Sequence, residues 1–205
     1  MKNLKMLGLA LVAAAALMAL VGAGTASATV ICKNNLNTEK CSEPYPVGTE
    51  GTASLKAGTS ALIETLGGTV MNTCTESTVK STIKVAGSAT STVESGTSTL
   101  TFAKCTNPVV VLKPGSAVLH WITGTDNGTL TTVGTEVTSV TQFGSCVYGT
   151  GPSLDAGVTE GGNPGRIKLS VAVPKVGGGF ACPAEARVTA EYTATSPTNA
   201  WVAAG

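Results

Sequence analysis

One histidine, His120, stands among 205 residues, and charged side chains make up only 12% of the chain. Any Ser-His-Asp arrangement must therefore use His120. No Gly-x-Ser-x-Gly elbow is present to raise a nucleophile. Gly177-Gly178-Gly179 has no Lys-Ser/Thr behind it, so a phosphate-binding loop is excluded. Cys-x-x-Cys pairs are missing too. The two closest cysteines, Cys32 and Cys41, are nine positions apart, which argues against a zinc site. Beyond the N-terminal region there is no second long apolar run and no amphipathic helical pattern. Aromatic residues are only 4%, too few for an aromatic-lined cleft.

The N-terminus carries an export pattern. Lys2 and Lys5 form a basic start, Met6 to Val21 is apolar, and Ala26-Ser27-Ala28 is an A-x-A cleavage signal. The competing reading is an uncleaved membrane anchor, since the apolar run approaches bilayer-spanning length. Removing residues 1–28 from 205 leaves 177, expected to form a single domain over 29–205. Losing Lys2 and Lys5 leaves 11 basic against 12 acidic residues, a net charge of −1. That balance excludes the basic footprint of a nucleic-acid binder and a polybasic membrane patch.

All six cysteines, Cys32, Cys41, Cys74, Cys105, Cys146 and Cys182, follow the leader. An even count in an exported chain reads as three disulfides. Six cysteines allow about 15 connectivities. Least loss of chain entropy favours neighbours in sequence, namely Cys32–Cys41, Cys74–Cys105 and Cys146–Cys182.

The dominant periodicity is two. Val79, Ser81, Ile83 and Val85 alternate with Lys80, Thr82 and Lys84. Ile167, Leu169, Val171 and Val173 alternate with Lys168, Ser170 and Ala172. Val188, Ala190, Tyr192 and Ala194 alternate with Thr189, Glu191 and Thr193. Leu100 and Phe102 follow the same rule. These are half-buried antiparallel strands. Further strands are expected at 52–57, 61–65, 69–74, 89–93, 109–112, 116–122, 128–133, 136–140 and 200–203. Turn chemistry separates them at Gly67-Gly68, Ser95-Gly96, Lys113-Pro114-Gly115 and Asp126-Asn127-Gly128, the last expected as a type I′ hairpin. About a dozen short strands predict an all-β, antiparallel sandwich of Greek-key or jelly-roll type, held by disulfides. Gly149–Gly165, rich in Gly and Pro, is expected to be one long loop, and Cys32–Gly48 an irregular cap.

Candidate chemistry is sparse. Ser116–Ile122 is apolar on both faces, so His120 is expected among Val118 and Ile122 as a core or rim imidazole with its nitrogens hydrogen-bonded. Glu136, Asp126, Asp155 and Glu160 could form a carboxylate pair. Asp126 suits a turn, Asp155 and Glu160 fall in the expected loop, and Glu136 reads as a solvated outward position. Asp126-Asn127-Gly128 and the segment Asp155–Asn163 offer oxygen ligands for calcium, without EF-hand spacing. Trp121 and Trp201 read as buried anchors. No cofactor and no metal are expected.

Several segments carry a resemblance. Ala28-Thr29-Val30-Ile31-Cys32-Lys33, Leu55-Lys56-Ala57-Gly58-Thr59-Ser60, Cys74-Thr75-Glu76-Ser77-Thr78-Val79, Leu100-Thr101-Phe102 with Cys105, and Ser145-Cys146-Val147-Tyr148-Gly149 resemble a group of secreted bacterial proteins with six cysteines. That group has no assigned activity, so the resemblance adds no site residue. A looser likeness, over Cys74–Val79, Leu100–Cys105 and Leu119–Ile122, is to the small secreted activators of alkane oxidation. The expectation is a non-catalytic secreted or cell-envelope protein of structural or binding role, with an extracellular or envelope ligand. The alternative is an extracellular hydrolase with the Gly149–Gly165 loop as a lid.

Overall fold

The structure, a computed structural model, describes residues 28–34 and 41–205. The expected leader, residues 1–28, lies outside the described residues except for Ala28.

The described residues form fifteen strands and no helix. β1 is Val30–Cys32, β2 Glu50–Leu55, β3 Ala61–Thr65, β4 Val70–Ser88 and β5 Ser91–Ser95. β6 is Thr99–Cys105, β7 Val109–Lys113, β8 Ser116–Trp121, β9 Gly128–Val133 and β10 Glu136–Thr141. β11 is Gly144–Gly149, β12 Leu154–Glu160, β13 Arg166–Gly178, β14 Glu185–Ser196 and β15 Trp201–Ala203. All pairings are antiparallel. The fold is therefore all-β and antiparallel, as the period of two requires.

Where a sandwich of Greek-key or jelly-roll type was expected, the pairings join thirteen strands in one continuous sheet curled upon itself, plus the two-stranded ribbon β1–β15. The cause is three strands that change partners midway. β4, 19 residues long and about 60 Å at the usual rise, pairs on one edge with β3 and then β2. On its other edge it pairs with β6 and then β5. β13 exchanges β12 for β11 along one edge, and β14 exchanges β2 for β3. The hydrogen-bonded pairs consequently close a circuit: β4, β5, β8, β9, β12, β13, β14, β2 and back to β4. Full closure removes edges that this charge-poor surface would guard weakly.

The lower halves of the same long strands form a second lobe with β3, β6, β7, β10 and β11. β6 pairs with β4 alone and β7 with β10 alone. Asn72, 1% exposed, ties β4 to this far side. Its amide donates to the Asn107 carbonyl and the Ser139 hydroxyl, both at 3.0 Å, and accepts from the Asn107 N–H at 3.2 Å. This lobe is solid, filled by Ile63, Met71, Tyr148, Val171, Val173 and the Cys146–Cys182 disulfide.

The three disulfides pair neighbours in sequence, Cys32–Cys41, Cys74–Cys105 and Cys146–Cys182. Two expectations need correction. Gly149–Gly165 is not one long loop, because β12 occupies Leu154–Glu160. Its glycine permits the pairing instead of breaking it, since a Cβ at Gly157 would lie 1.9 Å from the Lys168 carbonyl oxygen. Nor is Asn127-Gly128 a type I′ turn. The β8–β9 connection runs from Ile122 to Asn127, closed by the Ile122 N–H donating to the Asn127 carbonyl at 3.0 Å, and its positive-φ residue is Gly124. Gly128 begins β9 and allows close approach, with a Cβ there 2.8 Å from the His120 carbonyl oxygen.

Candidate functional site

The upper, closed circuit is hollow. Strand alternation fixes which side chains face its interior: Gly51 and Ala53 from β2, Val79, Ser81 and Ile83 from β4, and Val93 and Ser95 from β5. Ala117 and Leu119 from β8, Leu130 from β9, Ile167 from β13 and Ala194 from β14 complete the wall. An eight-stranded barrel is just wide enough to be filled by large side chains or to hold one small ligand. Here glycine, alanine and serine take many inward places, so the barrel is underfilled. The result is a half-open cavity of about 250 Å³.

The β1–β15 ribbon caps this cavity. Ile31 and Val202 are register partners and both line it. They pack with Val93, Leu119, Ile83 and Leu130. Thr29 is fully buried beside the ribbon, its hydroxyl accepting the Trp121 N–H at 2.8 Å. Tyr45, also lining the cavity, fastens the cap. Its hydroxyl donates to the carbonyl and side-chain oxygens of Asn199 at 2.8 and 3.0 Å. Burial raises the Tyr45 phenol above its ordinary value. The Cys32–Cys41 disulfide anchors the start of the same cap.

On the opposite side, one pleat along β14 from Ala194, Tyr192 is 1% exposed. Its hydroxyl meets that of Ser77 at 2.9 Å, and Ser77 donates to the Thr101 carbonyl at 2.7 Å. Burial raises the Tyr192 phenol, and the Ser77 bond offsets part of that rise.

The wall is apolar or hydroxylic except at its rim, where Glu160 and Arg166 stand as register partners. Glu160 is ion-paired with Lys168 at 2.6 Å, and Arg166 is exposed. The hydroxyls of Thr49, Ser95 and Thr159 are committed to the carbonyls of Pro46, Gly96 and Gly128. The Ser81 hydroxyl is buried and has no partner among the described residues.

The residues singled out in the sequence fall elsewhere. His120 is not inside the barrel. On β8 the inward residues are Ala117 and Leu119, which puts Val118, His120 and Ile122 on the outer face, where Ile122 is 36% exposed. The strand looks apolar on both faces because its outer valine and isoleucine are only half covered. Glu136 is half-buried and paired with Lys113 at 2.5 Å, not freely solvated. Asp155 accepts from the Thr131 hydroxyl at 2.9 Å, from a strand and not a loop. The Asp126 carbonyl receives the Val202 N–H at 3.0 Å and so ties the β8–β9 turn to the cap. Asp155–Asn163 is mostly β12, and among the described residues no cluster of three His, Cys, Asp or Glu is placed to hold a metal ion. Trp121 and Trp201 are half-buried anchors of the cap, and the Trp121 indole donates to the Thr125 carbonyl at 2.7 Å.

The cavity is the feature that sequence reasoning missed. Its signal was present as small residues at inward positions of otherwise apolar strands, at Gly51, Ala53, Ser81, Ala117 and Ala194. Among the described residues no helix is long and apolar enough to cross a membrane. Set against known family models, curated proteins and solved structures, the chain matches none of them.

Proposed function

We propose that the protein is exported and acts as a non-catalytic binding protein, holding a small apolar molecule inside the barrel. The observation that carries this reading is the apolar cavity of about 250 Å³ in the closed circuit, covered by the β1–β15 ribbon and open at the rim of Glu160 and Arg166. A cavity of ~150 Å³ holds benzene, so one this size suits roughly ten non-hydrogen atoms. Leaving such a space unfilled lowers stability, because its lining atoms forgo dispersion contacts. A bound apolar guest restores those contacts. Export is supported by the leader pattern, and the three disulfides are consistent with an oxidising compartment. The non-catalytic part is supported by placement. His120 lies on the outer face, and Glu136, Asp155 and Glu160 are each engaged by a different partner.

The test is thermal melting of the secreted protein with neutral apolar molecules of eight to eleven non-hydrogen atoms. At a hundredfold excess over Kd the stabilisation is about 2.7 kcal/mol, a rise of several degrees. Ala53→Phe, which fills the wall from within, should abolish the rise. If no molecule in this size range shifts the melting of the wild type, the binding reading is wrong. N-terminal sequencing of the same preparation should begin at Thr29, and a chain that keeps Met6–Val21 would overturn the export reading.

A further inference from the structure

Resting on the barrel-binding reading, we infer that the guest is an amphiphile, with its apolar chain in the lumen and a carboxylate head at the open rim, where Arg166 receives it. Arg166 is the first residue of β13, and the next residue, Ile167, turns into the lumen. The arginine lines the cavity mouth and also an adjoining recess formed with Glu160, Gly161, Gly162, Asn163 and Pro164. It therefore stands where the apolar space meets the solvent. It is exposed and makes no ion pair among the described residues.

The neighbouring charges set the sign of the head. Glu160 is the register partner of Arg166, yet its carboxylate is held by Lys168 at 2.6 Å. Glu191, the register partner of Lys168, is held by Lys56 at 2.9 Å. Each carboxylate thus already has its lysine, and Arg166 is the charge left over. A cationic head would meet no free carboxylate here. An anionic head meets a guanidinium whose fork of donors matches carboxylate geometry. The lumen itself suits no charge. Its wall is apolar or hydroxylic, and an ionised group inside would be desolvated without a counter-charge. At the rim the head keeps its water, and burial falls on the chain alone. The lumen of about 250 Å³ suits roughly ten non-hydrogen atoms. The class is therefore a straight-chain acid of about eight to ten carbons.

Octanoate, octanol and octylammonium share one chain and differ in the charge of the head. Calorimetry at pH 7 and low salt reads their binding to the wild type, Arg166→Gln and Arg166→Glu. Octanoate should bind the wild type about two- to fivefold more tightly than octanol, the range an exposed ion pair supplies, and octylammonium more weakly than either. In Arg166→Gln the preference for octanoate over octanol should be lost. In Arg166→Glu the order should invert, with octylammonium above octanoate. Raising the salt to about 1 M, where the Debye length is about 3 Å, tests the same charge without a substitution and should shrink the wild-type preference. Ala53→Phe keeps Arg166 but fills the lumen, so it should abolish octanoate binding. Octanol binding the wild type as tightly as octanoate, or a preference that survives in Arg166→Gln, would overturn the Arg166 inference while leaving the barrel as a binding site. Octanoate retained by Ala53→Phe would also overturn it, because the head alone would then suffice. If none of the three binds the wild type, the barrel-binding reading falls with it.

Discussion

Tyr192 shows how one side chain can seal a hollow barrel against a solid neighbour. It is among the largest side chains buried almost completely, and it belongs to the cluster of Ala53, Ala61, Cys74 and Ala190. The Ser77 hydroxyl, which itself donates to the Thr101 carbonyl, satisfies its only side-chain polar atom. Tyr192→Phe should lose about 1 kcal/mol at neutral pH, the net worth of a typical hydrogen bond. It should also change the alkaline limb of the stability curve. Burial raises the folded-state phenol above the unfolded value of about 10. The folded state therefore keeps its proton where the unfolded chain has lost it. This contribution is complete below pH ~10 and is lost as pH rises towards the folded value. Tyr192→Phe should melt with a shallower decline above pH ~10. Some decline should remain, because burial raises the Tyr148 phenol too. A variant with the wild-type alkaline slope would refute the assignment. Glu191, next in sequence, works in the opposite sense. Its hydrogen bond to Lys56 at 2.9 Å holds its carboxyl below the usual range, so its contribution is present at neutral pH and fades as the solution is acidified.

At the scale of elements, strands with clean alternation were legible, and glycine hid two others. The inward set Val79, Ser81, Ile83 and the sets on β13 and β14 lie on the faces that the period of two assigned. β1, only three residues long, was missed, and so were β11 and β12. Glycine reads as a turn from sequence alone, whereas Gly144, Gly149 and Gly157 sit in strands where a neighbouring backbone or side chain comes close or φ is positive. β12 also carries an extra residue between Asp155 and Gly157 against β9, a bulge that turns Ala156 inward to 3% exposure. Gly157→Ala should therefore cost about 1–3 kcal/mol or more, as overpacking does. The Lys168 carbonyl is a backbone group and cannot swing aside. Gly179→Ala, with open space around its Cβ, is the matched control and should change stability by less than ~0.5 kcal/mol. Chemical denaturation of the two variants measures the difference, and equal losses would contradict the close approach. The barrel itself was beyond reach of a local pattern. Closure depends on β4, β13 and β14 exchanging partners along their length, which residue alternation does not encode.

For the whole molecule, if the barrel binds a guest, the question is whether that guest enters past the cap or at the rim of Glu160 and Arg166. The barrel strands are joined all round by main-chain hydrogen bonds, whereas the three-residue ribbon of the cap meets the barrel through fewer: the Thr29 N–H to the Ser91 carbonyl, the Val202 N–H to the Asp126 carbonyl and the paired bonds between Ala200 and Gly162. Local opening favours such small units, whose few contacts cost least to release. The Cys32–Cys41 bridge confines the cap, and by loop entropy it contributes less than the two longer bridges, with a sequence separation of 9 against 31 and 36. Inside the cap the fastening is polar. Tyr45 donates to Asn199, the Asn199 amide donates to the Lys33 carbonyl at 2.5 Å, and the Tyr45 N–H donates to the Ile31 carbonyl at 2.8 Å. Tyr45→Phe removes the first of these and leaves the ring and the ribbon. If opening of the cap gates passage, the population of the open form multiplies association and dissociation alike. Losing about 1 kcal/mol of fastening should speed both rates roughly fivefold, since 1.4 kcal/mol is tenfold. Kd should stay within twofold, because the Phe ring keeps the place of the Tyr45 ring and the closed, bound state loses no apolar contact. Exchange of octanol followed by NMR in wild type and Tyr45→Phe measures both quantities. Unchanged rates would place the passage elsewhere than at the cap. A weakened Kd at constant association rate would make Tyr45 part of the binding wall instead of its fastening.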